Sequence, residues 1–213
     1  MRAGDEGCER ASTKNLPLKT PAPSLRPREA RRVGEGQGWG DKPTSPSSPH
    51  DSPLVEQELA RRLGDLFTAK RLLLAAAESC TGGLLAAHIT AVPGSSAYFV
   101  GGVVSYANAA KEALLGVRHE TLLAHGAVSA EAAQEMAQGV RERLGVDVAV
   151  SITGITGPTG GAPDKPVGLV WIGLADAAGA TARRFLWERD REGNRALSVE
   201  AALRWLIEWA EAR

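Results

Sequence analysis

Cysteine, aromatic residues, unbalanced charge and long apolar runs are all scarce in this chain, and each shortage removes a class of protein. Two cysteines occur in 213 residues, Cys8 and Cys80. Their surroundings differ so much that no structural bridge between them is expected, and a reducing, cytoplasmic setting fits. Lysine plus arginine and aspartate plus glutamate number 25 each, so the net charge is zero. No run of like charge is long enough to attract a nucleic acid or an anionic membrane surface, and the expected partner is a small molecule. No stretch approaches the ~18 consecutive apolar residues of a membrane span. The N-terminal "MRAGDEGCERASTK" lacks the apolar centre of a secretory signal. His88, His119 and His125 have no metal-ligand spacing among themselves or with the cysteines, so neither a metal nor another cofactor is implied.

A chain of this length accommodates one core, with or without a tail. Residues 1–53 hold eight of the twelve prolines and show neither a helical nor a strand period. Such a composition buries too little apolar surface to offset the ~1–2 kcal/mol per residue of backbone ordering, so a disordered tail is expected over 1–53 and a folded domain over 54–213. No methionine lies between Met1 and Met136, so a non-ATG start near Val33 or Val55 would also give a compact chain.

From Leu54 the texture changes. Val55, Leu59, Leu63 and Leu66 or Phe67 share a helical face, with Ser52 as cap and Pro53 in the first turn. "RLLLAAA" reads as a buried strand, "GGLLAAHITA" as a short helix, and "AYFVGGVVSYA" as an apolar strand whose glycines admit a close neighbour. Residues 108–115 read as helical. "VSAEAAQEMAQGVRERLG" is a helix capped by Ser129 and closed by Gly145, feeding the strand "VDVAVSIT". "VGLVWIGLA", then "DAAGA" and "TARRFLWE", form a hairpin, so at least one pairing is antiparallel, and "NRALSVEAALRWLIEWAEA" closes the chain as an amphipathic helix. Buried strands alternating with helices predict an α/β three-layer sandwich: a mixed, mostly parallel sheet with helices on both faces.

Three constellations could carry chemistry. In "AESCTGG" a strand runs into a helix through small residues, which presents Ser79 with the backbone N–H groups of Thr81, Gly82 and Gly83 as candidate donors to an anion or oxyanion. Ser79 can equally serve as the helix cap, and Cys80 competes as nucleophile because a helix N-terminus lowers a thiol pKa. The stretch is neither the "GxSxG" elbow nor an "SxxK" motif. In "SYANAAKEALLGV", Tyr106 ends a strand and Lys111 lies one turn into the next helix. A desolvated lysine can take a proton from serine, although a solvated surface lysine is the plainer reading. The spacing is similar to the tyrosine–lysine pair of short-chain dehydrogenases, but four residues intervene rather than three, and no dinucleotide fingerprint follows the first strand. In "SITGITGPTGGAPDKPVG" a glycine-rich loop joins two buried strands and can cradle a phosphate or carboxylate, although it is no Walker motif and a plain surface loop is the alternative. Asp190, Arg191 and Arg195 could recognise an anion or simply begin a helix.

In this order, "AESCTGG", "GSSAYFVGGVVSYANAAK", "HGAVSAEAA" and "GITGPTGG…KPVG" resemble the CinA C-terminal domain family, the nicotinamide-nucleotide amidohydrolases, over Leu54 to the C-terminus. The resemblance implies hydrolysis of the carboxamide of nicotinamide mononucleotide to nicotinate mononucleotide and ammonia, in pyridine-nucleotide salvage. It implies Ser79 as nucleophile with Tyr106 and Lys111 as activating partners. Substrate contacts would come from Thr81, Gly82, Gly83, Asn108, Gly154, Thr156, Gly157, Gly160, Gly161 and Arg191. A homodimer is expected. The chain departs from the family pattern at Thr153 and Thr156 in the loop, at Arg189 where a glycine is usual, and at Asn194 where an apolar residue is usual. The competing reading is a module of the same fold that binds a nucleotide without turning it over.

Deleting residues 1–50 is expected to leave the melting temperature and the activity nearly unchanged, because the segment has no apolar face with which to dock. A large fall in the calorimetric midpoint on deletion would contradict this.

Overall fold

The structure, a computed structural model, describes residues 53–213. The tail expected over 1–53 and the Ser52 cap fall, apart from Pro53, outside the described residues. The first helix, α1 (Pro53–Lys70), leads into β1 (Leu74–Glu78) and the short α2 (Leu84–Thr90). After a 3-10 turn at Ser95–Ala97 come β2 (Phe99–Val104), α3 (Asn108–Leu115), α4 (His119–His125) and α5 (Ala130–Leu144). The chain ends with β3 (Val148–Gly154), β4 (Leu169–Asp176), β5 (Gly179–Leu186) and α6 (Arg191–Glu211). No helix among the described residues is long and apolar enough to cross a membrane.

The five strands form one sheet in the order β2-β1-β3-β4-β5. Alternation along the strands divides the core in two. Leu74, Ala76, Val148, Val150, Ile152, Val170, Ile172 and Leu174 pack with α1, α2 and α6, through Leu63, Phe67, Leu85, Leu203 and Leu206. Ala75, Ala77 and Ala149 face the other way, against Leu115, Leu122, Met136 and Val140 of α3, α4 and α5. Helices therefore cover both faces, as the pattern predicts. The second face is lined with small residues so that α5 can approach closely. A Cβ on Gly173 would lie 2.3 Å from the carbonyl oxygen of Ala133, and Ser151 donates its hydroxyl to that same oxygen at 2.5 Å.

The sheet is mixed, with β2-β1 and β1-β3 parallel and β3-β4 and β4-β5 antiparallel. Parallel pairing thus makes up two of four pairings rather than most of them. The reason is the glycine loop 155–168, which has no crossover helix and returns the chain directly beside β3. β2 is an edge strand and only half-buried, with alternate residues exposed. α5 begins at its Ser129 cap, whose hydroxyl accepts from Ala132 N, and ends at Gly145 in the left-handed conformation. α4 has no counterpart in the pattern reading. It is seven residues long and lacks a side-chain cap.

All three parallel strands end on the same side of the sheet, at Glu78, Val104 and Gly154, where ligands gather in such folds. The helix α3 that starts there is held against α5 at one point of extreme closeness: a Cβ on Gly139 would lie 1.8 Å from the carbonyl oxygen of Leu115. Gly139→Ala is therefore expected to lower stability by about 3 kcal/mol and the melting temperature by roughly 6–12 °C, although alanine gains about 1 kcal/mol in an unobstructed helix. An unchanged or raised melting temperature would show that α3 and α5 have room to part.

Candidate active site

Ser79 follows directly on β1, and the ladder runs on past the strand ends to hold it. Ser79 N donates to Ile152 O at 2.9 Å, and Ser105 N donates to Glu78 O at 2.8 Å. Ser79 and Ser105 are thereby fixed side by side. Lys111, one turn into α3, reaches back between them, with its Nζ 3.0 Å from Ser79 Oγ and 2.7 Å from Ser105 O. The side chain is 1% exposed, and among the described residues no carboxylate pairs with it. Burial pushes its pKa below the usual lysine value, opposed only by a thiolate at Cys80. That opposition is absent at neutral pH. Burial lifts the Cys80 thiol to about 12, against smaller lowering effects from its own backbone N–H and from Lys111. A neutral amine in line with a serine hydroxyl can take its proton; a neutral buried thiol is no nucleophile.

The dyad opens onto a cavity of about 260 Å³ walled by all three constellations. Ser79, Cys80 and Lys111 form the floor; Tyr106, Asn108, Gly154, Thr156, Gly157, Gly160 and Arg191 line it, as the sequence led one to expect. Ala127, Val128, Thr153, Ile155 and Thr159 complete the lining. Of these, Ala127, Val128 and Ile155 are apolar and carry no chemical signal in the sequence. Arg191 donates from Nη1 to Thr156 Oγ1 at 3.2 Å and Gly157 O at 2.7 Å, and from Nη2 to the Tyr106 hydroxyl at 3.2 Å, so it spans the mouth.

Several expected contacts are corrected. Gly82 N donates to Ser79 O at 3.1 Å, and Gly83 N donates to Glu78 Oε2 at 2.9 Å. Neither N–H is free for an anion, and neither residue lines the cavity. The start of α2 is already occupied by the Glu78 carboxylate, which also accepts from Leu85 N at 3.1 Å and Ala86 N at 2.9 Å. Thr81 is buried away from the cavity, its carbonyl accepting from Arg195 Nη2 at 2.6 Å. Gly161 stands outside the lining too: a Cβ there would sit 2.8 Å from Val167 N, so the glycine serves loop packing. Tyr106 is 64% exposed and hydrogen bonds to Arg191, so it belongs to the rim, and no hydrogen bond joins it to Ser79 or Lys111 as the activating role would have it.

The departures from the family pattern are structural ties. Thr153 Oγ1 donates to Ala127 O at 2.7 Å, and Asn194 Nδ2 donates to Thr156 O at 3.1 Å while its Oδ1 accepts from Arg189 N at 3.0 Å. Asp190 caps α6 through Gly193 N at 2.8 Å. His119 sits at the surface beside Glu112, 3.1 Å away.

The model of the CinA C-terminal domain matches residues 56–210. The chain is 54% identical over 141 residues to a CinA-like protein of Salinibacter ruber, covering 66% of this chain and 34% of that one. It is 49% identical over 156 residues to a CinA-like protein of Geobacter metallireducens, covering 73% and 37%. The chain thus spans about a third of the length of these relatives. Among solved structures, the competence/damage inducible protein CihA from Agrobacterium tumefaciens superposes with a TM-score of 0.71 at 42% identity, over 72% of this chain and 94% of that one. A CinA superfamily protein from Klebsiella pneumoniae gives a TM-score of 0.72 at 36% identity, over 74% and 99%.

The depressed lysine has a measurable sign. Between its folded pKa and the unfolded value of 10.5, the unfolded chain binds a proton that the native protein does not, so stability rises with pH across that window. Lys111→Met removes the dependence. The melting temperature of the wild type, taken relative to the methionine variant, is expected to climb between pH 7 and pH 10. A constant difference across this range would mean that the amine is charged in the native protein.

Proposed function

The chain belongs to the CinA C-terminal domain family, and on that footing we propose that it hydrolyses the carboxamide of nicotinamide mononucleotide to nicotinate mononucleotide and ammonia. The observation that carries the reading is the buried, unpaired Lys111 amine 3.0 Å from Ser79 Oγ. A serine hydroxyl is a weak nucleophile at neutral pH and needs a base; the described residues offer no histidine at the cavity, and the desolvated amine is the group in place.

In this mechanism neutral Lys111 takes the Ser79 proton as Oγ bonds to the amide carbon, and the carbonyl π electrons move onto oxygen. Gly82 and Gly83 are engaged elsewhere and Thr81 is buried away from the cavity, so the oxyanion draws on none of the three donors that the turn's sequence suggested. Lys111, now an ammonium, returns its proton to the amide nitrogen. The carbon–nitrogen bond breaks and ammonia leaves the acyl-serine. Water, deprotonated by the same amine, attacks the ester carbon, and the Ser79 oxygen regains its proton as the acid departs. The cavity is just below the usual ~300–1,000 Å³ of ligand pockets, so it holds the pyridine ring and amide while ribose and phosphate run along the mouth. There Arg191 supplies charge to a phosphate.

Released ammonia is the direct test. Ser79→Ala is expected to abolish release from nicotinamide mononucleotide while the compound still binds. Lys111→Ala should lower kcat by about 10²–10⁴-fold, the ordinary contribution of a general base. Lys111→Arg should not restore it, because guanidinium stays protonated. An arginine variant with near-native kcat and a raised KM would move Lys111 from base to phosphate ligand. Binding without turnover by the wild type would favour a nucleotide-sensing module.

A further inference from the structure

We propose that Glu78 is the positioning residue of the nucleophilic turn: its carboxylate, not a ligand, holds the start of α2 and so fixes the path of residues 79–82. The proposal rests on Ser79 being the nucleophile. Glu78 is 2% exposed, and it sits as the last residue of β1. Its backbone is tied on one side, where its carbonyl accepts from Ser105 N at 2.8 Å. Its side chain meanwhile accepts from Gly83 N and Leu85 N through Oε2 and from Ala86 N through Oε1. One residue therefore anchors both the strand before the turn and the helix after it. Ser79 to Gly82 bridge two ends that cannot drift apart.

The helix itself needs this. α2 has seven residues, and its cap position is Gly83, a glycine at φ 97° with no side chain to cap the free N–H groups. The carboxylate satisfies the cap position and the second and third residues of the helix. A carboxylate has about four acceptor sites on two oxygens, whereas a carboxamide has about two on one oxygen, so glutamine can serve at most two of the three donors. Alanine serves none. Loss of the tie frees the start of α2, and with it Ser79 Oγ leaves the line to Lys111 Nζ. Because the nucleophile is aligned to within one hydrogen bond of its base, a small displacement is costly in rate and not in binding.

The test uses the full chain carrying Glu78→Gln and Glu78→Ala, each checked for native secondary structure by circular dichroism. Expected are a fall in kcat of about tenfold for glutamine and about 10²-fold for alanine, with KM within about twofold of wild type. Partial rescue by glutamine marks the acceptor geometry as the cause. A purely structural role would lower the melting temperature of both variants and leave kcat of the folded protein unchanged, and that result overturns the proposal. Crystal structures of wild type and the glutamine variant give a readout independent of substrate. The Ser79–Lys111 hydrogen bond is expected to lengthen beyond hydrogen-bond distance or split between conformers, and an unaltered bond at 3.0 Å would likewise overturn it. If the wild type releases no ammonia, the substrate assignment fails alone, because this geometry still decides the role of Glu78.

Discussion

A primary amine in the protein interior, with no counterion among the described residues, is the constraint around which the rest is arranged. Lys111 has a serine oxygen and a carbonyl for company, and an ammonium held there would carry a desolvation penalty of several kcal/mol. The neutral amine escapes most of that penalty, so burial shifts the balance toward the form in which the nitrogen has a lone pair to offer. The shift lasts only while the walls exclude water. They are built from distant parts of the chain: Asn108 at the start of α3, the 127–128 turn, the glycine loop and the rim formed by Tyr106 and Arg191. The close contact of Leu115 with Gly139 holds the helix that carries the lysine against the sheet layer.

The glycine loop illustrates how a flexible composition yields a fixed wall. Its residues need positive φ at Gly157, Gly160 and Gly168, which disposes of sequence freedom but not of motion. Motion is removed by polar ties from outside: Asn194 and Arg191 of α6 hold Thr156 and Gly157, Thr153 reaches Ala127, and Lys165 donates to His125 O at 2.5 Å. The threonines and the asparagine that depart from the family pattern are among these ties. Thr153 and Asn194 donate to backbone carbonyls, and the Thr156 hydroxyl accepts from the Arg191 guanidinium. Asn194 is fully buried with its own amide oxygen satisfied by Arg189 N, which is why a polar residue is tolerated in that position.

Legibility in the sequence followed the range of the interaction. α5, with a serine cap, an apolar face and a terminal glycine, is specified locally from end to end and was readable as such. The layers and the hairpin followed from alternation. The share of antiparallel pairing did not, because only the absence of a crossover helix in 155–168 decides it. α4 was invisible: two buried residues, Thr121 and Leu122, do not make a period. At the site, residue type and place left Ser79 open between cap and nucleophile and favoured a solvated Lys111; the pairing of the two came from the resemblance, because a contact across 32 residues leaves no local pattern. The donors around α2 were misread for a definite reason. A glutamate ending a strand can face the core, the solvent or its own following helix, and pattern alone does not choose. Here it turns onto the helix and takes the N–H groups that a ligand would have used.

The same distinction separates the two nucleophiles that stand next to each other. In water a thiol is the more acidic group, and at a bare helix N-terminus Cys80 would be the natural choice. In the folded chain Cys80 belongs to the apolar cluster beneath α2 and α6, with 6% of its surface exposed. Its thiolate would be a buried anion, and the pKa rises to about 12 accordingly. The helix end that might have stabilised that anion is occupied by Glu78, whose own charge pushes the thiol further up. Serine needs no preformed anion; it needs a base aligned with its hydroxyl at the moment of attack. The desolvation that raises the thiol pKa is the desolvation that lowers that of Lys111, so one environment disfavours both a thiolate at Cys80 and an ammonium at Lys111.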